Sequence, residues 1–131
     1  MTLGMEIRGR LVDYVGQKIE ASREQSDYKD FCNVSVLRTN SMRHCTNYFR
    51  KGSLKKIFIC FPDPHFKRKN LRRRIINPNF IAEYSYLLEK GGKLYAITDV
   101  HELHLWHEKH LSVFPLFDRI PDEDAEKDEC V

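Results

Sequence analysis

The sequence predicts an α/β domain built on parallel strands with covering helices, and three observations carry that expectation. Short apolar segments alternate with amphipathic ones along most of the chain, the pattern of strand–helix units. The most apolar of them, residues 55–61 (KKIFICF), is continuous rather than alternating at its centre, as in a strand covered on both faces. A polar or acidic residue stands just past each of four strands: Glu6, Asn40, Asp63 and Asp99. In doubly wound sheets ligands collect at the carboxyl ends of the strands, so these four are expected on one rim.

Taken in order, Thr2 to Ile7 reads as the end of a first strand. A helix follows from Gly9 to about Ser22, with Leu11, Val12, Val15 and Ile19 on one face. Polar residues from Arg23 to Asp30 form a loop. Asn33 to Leu37 is the second strand, Arg38 to Asn40 its turn, and Ser41 to Phe49 a short helix capped by Asn40 or Ser41. Lys55 to Phe61 is the third strand. Asn77-Pro78 opens a helix, Asn as cap and Pro at the first helical position, and Gly91-Gly92 stops it. Lys93 to Thr98 is a fourth strand. A helix from about Glu102 to Leu111 and a strand near Leu116 to Ile120 complete the ordered part.

With 131 residues the chain is about one domain long and can bury roughly two-thirds of its unfolded surface. Its net charge of +3 is unevenly spread: Asp122 to Val131 holds six acids against Lys127, which leaves the rest near +8. The body can attract nucleic acid, whereas residues 122–131 are expected to be a solvated, disordered acidic tail after a domain over residues 1–121. Four cysteines (Cys32, Cys45, Cys60 and Cys130) lack CxxC spacing, which argues against a disulfide framework or a structural zinc site. His101, His104, His107 and His110 recur every three residues, but such steps drift around a helix, so surface histidines are expected rather than a metal site. No stretch reaches the ~20 apolar residues of a membrane span. No signal peptide opens the chain, so an intracellular protein is expected.

The densest chemistry lies in residues 57–74, IFICFPDPHFKRKNLRRR. A strand ends in a Phe61-Pro62-Asp63-Pro64 turn, and Lys67, Arg68, Lys69, Arg72, Arg73 and Arg74 follow. Asp63 is the only carboxylate between Phe31 and Ala82, a span with twelve Lys and Arg. Pro-Asp-Pro is also ordinary turn chemistry, and a basic run can be a solvated helix start. Six cations in eight residues without an acid favour phosphate binding, since like charges repel when unpaired. Asn40 and Asp99 have a second reading as helix caps.

Phe61 to Arg68, followed by Arg72-Arg73-Arg74-Ile75-Ile76, resembles the tRNA (guanine-N7)-methyltransferases, in the eukaryotic form with His-Phe after the turn. Residues 3–8 (LGMEIR), 38–42 (RTNSM), 82–84 (AEY) and 97–100 (ITDV) match further motifs in the same order. The resemblance covers about residues 3 to 121. It implies a Rossmann-like S-adenosylmethionine-dependent methyltransferase fold and methyl transfer to a guanine in the tRNA variable loop. Carried over by position, Glu6 takes the ribose hydroxyls of S-adenosylmethionine, with Ile7 and Arg8 beside it. Asn40 and Ser41 meet the adenine, and Cys60 lines the site through its backbone. Asp63 is the catalytic-site acid. Lys67 and Asp99 contact the substrate, and Arg68, Lys69, Arg72, Arg73 and Arg74 hold RNA.

The resemblance also implies a WD-repeat propeller partner, a nuclear or cytoplasmic location, and no metal or membrane. Relatives of this kind carry a glycine-rich strand-turn before Glu6 and further strands after Pro121. The chain is therefore expected to be an internal segment, its fold truncated by the loss of the central first strand and the last strands. A second function remains open: a non-catalytic fragment that binds tRNA or the propeller partner.

Overall fold

The computed structural model describes residues 1–129, so Cys130 and the last residue of the acidic tail lie outside it. The chain divides into two compact units, Met1–Tyr48 and the residues from Phe49 onward. In both, the strands pair in parallel, as the strand–helix alternation predicts.

In the first unit β1 (Thr2–Glu6) pairs with β2 (Val34–Arg38), placing Glu6 opposite Arg38. Helix α1 (Gly9–Gln25) connects them and packs on both strands, and α2 (Ser41–Tyr48) follows β2. Arg23 fastens the loop back to β2, donating from Nη2 to the Val34 carbonyl at 2.7 Å. Burial here is thin: among the described residues only Thr39 and Cys45 are buried, while Leu11 and Val15 of α1 stay exposed. Two strands and one covering helix offer little apolar area to remove from water.

In the second unit β3 (Leu54–Cys60) pairs with β4 (Leu88–Ile97). Between them run a 3₁₀ helix (Arg68–Arg73) and α3 (Pro78–Leu87). Ile59, Ile76, Ile81 and Tyr84 make the core, with Ile57, Leu94, Ala96, Leu111 and Phe117 packed around it. Fully burying one such aliphatic side chain contributes about 1.5–3 kcal/mol. Alternation along β3 puts Ile57 and Ile59 on the core face and Lys56, Phe58 and Cys60 on the other. On that second face Phe58 stacks on Tyr95, ring centroids 4.8 Å apart. Asn77 caps α3, its Oδ1 accepting from the amides of Asn79 (3.0 Å) and Phe80 (3.3 Å). Helix α4 (His101–Ser112) follows β4.

Three expectations change. Strand β4 starts at Leu88, immediately after α3, and its register slips between Leu88 and Lys93. Gly91, at φ +80, makes that irregularity possible, and a Cβ on Gly92 would stand 2.9 Å from the Glu89 carbonyl. Residues 116–120 are not a strand. Phe117 instead turns back against Phe114 and the core, and Leu116 is left exposed. The segment expected to be solvated contains α5 (Asp122–Glu126), and Asp128 is buried. Asp128 accepts from Lys56, from Lys93 Nζ at 3.1 Å and from the Tyr95 hydroxyl at 2.7 Å. Composition places an acid-rich stretch in water, but two lysines from adjacent strands supply a partner that composition cannot show.

Candidate active site

The parallel register sets Cys60 opposite Ile97 at the carboxyl ends of β3 and β4, and the Phe61 amide continues the ladder to the Ile97 carbonyl at 2.8 Å. Asp63 and Asp99 therefore leave neighbouring strands at the same edge. In the other unit, Glu6 and Asn40 stand in the same relation, with the Thr39 amide donating to the Glu6 carbonyl at 3.0 Å. The four strand-end residues come together as two pairs, one in each unit.

The turn carrying Asp63 is strained. Phe61 (φ 49) and His65 (φ 46) on either side of Pro62-Asp63-Pro64 both occupy the left-handed region. For residues with a Cβ this costs on the order of 1 kcal/mol each. Asp63 stays 72% exposed, and its Oδ1 accepts from the His65 amide at 3.0 Å, with the His65 ring nitrogen 3.7 Å away. The prolines fix φ on both sides, so the carboxylate is held outward on a stiff support.

Lys67, Arg68, Lys69, Arg72 and Arg73 are exposed along the 3₁₀ helix and its start, and no acid lies in its first turn. Arg74 departs from the sequence expectation. It is 1% exposed, its Nε donates to the Pro64 carbonyl at 2.8 Å, and its Nη2 meets Glu102 Oε1 at 2.6 Å. Its guanidinium lies 4.7 Å from the centre of the Trp106 ring. It belongs to the interior, so the cationic surface has five members rather than six.

Asp99 is exposed, and the residue at the start of α4 is Val100, without a side-chain cap. The capping reading of Asp99 therefore loses its support. The Asn40 carbonyl accepts the first bonds of α2, from the amides of Arg43 and His44 at 3.0 Å each. Ser41 is half-buried at the first position of α2. Ile7 is exposed, as is the Cys60 side chain.

Glu6 is engaged by Arg8, whose backbone N–H (2.8 Å) and Nε (3.1 Å) reach Oε1 and whose Nη2 reaches Oε2 at 3.1 Å. The guanidinium hydrogen bonds first, then the backbone N–H, hold its carboxyl below the usual range. The three Arg8 donors fill both acceptor sites of Oε1 and one of Oε2, so while Glu6 holds Arg8 one site, on Oε2, stays open to a hydroxyl.

A cavity of about 1000 Å³ opens along β4 and α4, lined by Leu88, Leu94, Ala96, His107, Leu111 and Phe117 among others. Asp63, Lys67 and Asp99 are not among its lining residues. His107 is buried there, and neither ring nitrogen has a partner among the described residues. His110 stacks on Trp106 with centroids 4.0 Å apart. The expected row of surface histidines is thus only partly on the surface. No group of three or more His, Cys, Asp or Glu among the described residues is placed to hold a metal ion, and no helix among them is long and apolar enough to cross a membrane.

Comparison with known proteins gives a match to one family model, described as "Putative methyltransferase", over residues 1–131. The match includes the acidic segment, ten residues beyond the expected limit. A tRNA (guanine-N(7)-)-methyltransferase of Caenorhabditis elegans is 49% identical over 132 residues, covering 100% of this chain and 52% of its own length. Relatives of the same name from Anopheles gambiae (47%, covering 98% of this chain and 54% of theirs) and Scheffersomyces stipitis (48%, 100% and 44%) are similar. The chain spans about half the length of the curated relatives it matches.

Proposed function

Because the chain belongs to this Rossmann-like methyltransferase family, we propose that it is the part of a tRNA (guanine-N7)-methyltransferase that presents substrate-side groups and part of the cofactor site. One observation carries the reading: Asp63 stands exposed on a strained, proline-flanked turn directly before five exposed cations. A tRNA backbone supplies the phosphates for those cations, and a guanine displaced from its stack supplies donors for the carboxylate.

The methyl donor of this reading is S-adenosylmethionine, which supplies a sulfonium-activated methyl group when bound. Guanine N7 carries a free lone pair at neutral pH. Methyl transfer to that lone pair would leave the positive charge on the guanine and release the donor as a neutral thioether. No proton leaves before attack, so the protein's task is alignment of the two reactants. Asp63 accepts from the guanine N1 and N2 donors, and Lys67 and Asp99 flank the base. Arg68, Lys69, Arg72 and Arg73 hold the phosphates. Glu6, Ile7 and Arg8 with Asn40, Ser41 and Cys60 hold the donor. A WD-repeat propeller subunit and a nuclear or cytoplasmic location go with this reading.

The alternative reading is a non-catalytic part that binds tRNA or the propeller partner without transferring methyl groups. Calorimetric titration of the chain with S-adenosylmethionine, followed by transfer of labelled methyl to tRNA, separates the two. Donor binding with label in guanine N7 supports the enzyme. Salt-dependent tRNA binding without donor binding supports the fragment.

A further inference from the structure

We propose that Arg74 is a positioning residue, which clamps the peptide plane that holds the Asp63 carboxylate, and not a phosphate contact. The inference rests on the reading of Asp63 as the group that orients the base.

The carbonyl of Pro64 and the amide of His65 belong to one peptide unit, planar and stiff to rotation. Arg74 Nε grips its oxygen at 2.8 Å, while its N–H donates to Asp63 Oδ1 at 3.0 Å. One rigid plane therefore links a buried guanidinium to an exposed carboxylate. A donor on the carbonyl also polarises the peptide and strengthens the hydrogen bond from its N–H. Without that grip, the left-handed His65 has one fewer restraint against relaxing to a common conformation.

Arg74 is itself fixed on every side. Its Nη2 is paired with Glu102 on α4, its guanidinium lies against Trp106, and its own carbonyl accepts from Asn77 Nδ2 at 2.9 Å. Trp106 in turn donates from Nε1 to the Ile76 carbonyl at 2.7 Å. A guanidinium this enclosed, with its charge met by Glu102, has no surface to offer a phosphate. Arg72 and Arg73, two and one residues earlier, remain exposed. The planar fork is also the reason lysine would not substitute: a single ammonium cannot reproduce the stacked, two-direction geometry.

The test compares Arg74→Lys, Arg74→Met and Glu102→Gln in the 131-residue chain, with Arg73→Gln as the control. Hydrogen exchange of the His65 amide reads the turn, emission of Trp106, the single tryptophan, reads the clamp, and tRNA binding against salt reads phosphate contacts. Both Arg74 variants should speed His65 exchange tenfold or more and shift Trp106 emission, with the salt slope unchanged. Arg73→Gln should lower that slope by somewhat less than about one and leave the His65 amide alone. Where methyl transfer is measurable, Arg74→Lys should lower kcat and leave KM for tRNA unchanged. Unchanged His65 exchange in Arg74→Lys, or a slope reduced as in Arg73→Gln, overturns the proposal. If Arg74→Met does not fold, Arg74→Lys and Glu102→Gln decide, and no change in Trp106 emission or His65 exchange in that pair counts against it. If the unsubstituted chain neither binds tRNA nor transfers methyl groups while His65 responds as expected, the clamp stands and the functional reading falls.

Discussion

Lys56 and Lys93 are register partners on β3 and β4, and the ammonium groups of both close on the single carboxylate of Asp128. The Tyr95 hydroxyl donates to the same carboxylate. Asp128 thereby ties the end of the chain to the sheet face opposite the α3 core. Its side chain is only 2% exposed, so neutralising it removes a buried charge that both ammonium groups meet.

Asp128→Asn should therefore lower stability by about 1–3 kcal/mol, read as a drop in the urea midpoint at neutral pH. An unchanged midpoint would show the pairing to be idle. The alkaline side has a definite sign. Hydrogen bonding to Asp128, the largest cause for each, raises both Lys93 and Tyr95 above their usual ranges. Their contribution is complete below the unfolded values of about 10 and is lost as pH rises through the folded ones. Stability should fall more steeply above pH 10 in the parent chain than in Asp128→Asn.

Local signals in the sequence located most of this structure. The continuous apolar run at residues 57–60 gave β3, and Asn77-Pro78 gave the start of α3, because caps and prolines act over a few residues. The strand-end placement of Asp63 and Asp99 was likewise legible, since parallel register follows from strand–helix alternation. Arg74 was not. Its charge is the same as that of Arg72 and Arg73, and only the inward turn of Ile75 and Ile76 hints that the chain has left the surface. Asp128 was illegible for a related reason: Lys56 and Lys93 lie far away in sequence. A one-dimensional charge count sees an acidic tail, not its distant partners. Residues 116–120 failed as a strand because β propensity does not supply a neighbouring strand, and Phe117 found packing instead.

His107 gives the acid limb of the stability profile. Burial, with the positive charges of His104, Arg74 and His110 nearby, pushes its ring down to about 4. The unfolded chain, with an ordinary value of about 6.5, binds the proton first as pH falls. This contribution to stability is thus complete above about pH 6.5 and is lost between there and about pH 4. His107→Leu removes both unpartnered nitrogens and the titration. The variant should be more stable than the parent at pH 5, with a flatter profile from pH 6.5 to 4. A parallel decline in both proteins would exclude His107 as the source.

Five exposed cations, Lys67, Arg68, Lys69, Arg72 and Arg73, set a bound on tRNA binding. If all five meet phosphates, the logarithm of the affinity should fall with the logarithm of salt at a slope of about −4. Replacing Arg72 and Arg73 together by Gln should reduce that slope by nearly two and weaken binding at low salt far more than at high salt. A slope near zero in the parent chain would remove the phosphate reading of the whole run.

Asp63 itself distinguishes alignment from proton transfer. In the proposed methyl transfer guanine N7 needs no deprotonation, so a general base would have nothing to do, whereas an acceptor for the N1 and N2 donors would hold the ring in line with the methyl group. Asp63→Asn keeps the size and the turn, but exchanges one carboxylate oxygen for a donor that faces the base's own donors. A charge-assisted hydrogen bond of this kind is worth about 1.5–3 kcal/mol, so kcat should fall roughly 10- to 100-fold. The solvent deuterium isotope effect should stay near unity in parent and variant alike, because no proton is in flight in the methyl-transfer step. Full turnover in Asp63→Asn would sink the positioning role, and a large isotope effect confined to the parent would return Asp63 to the part of a base.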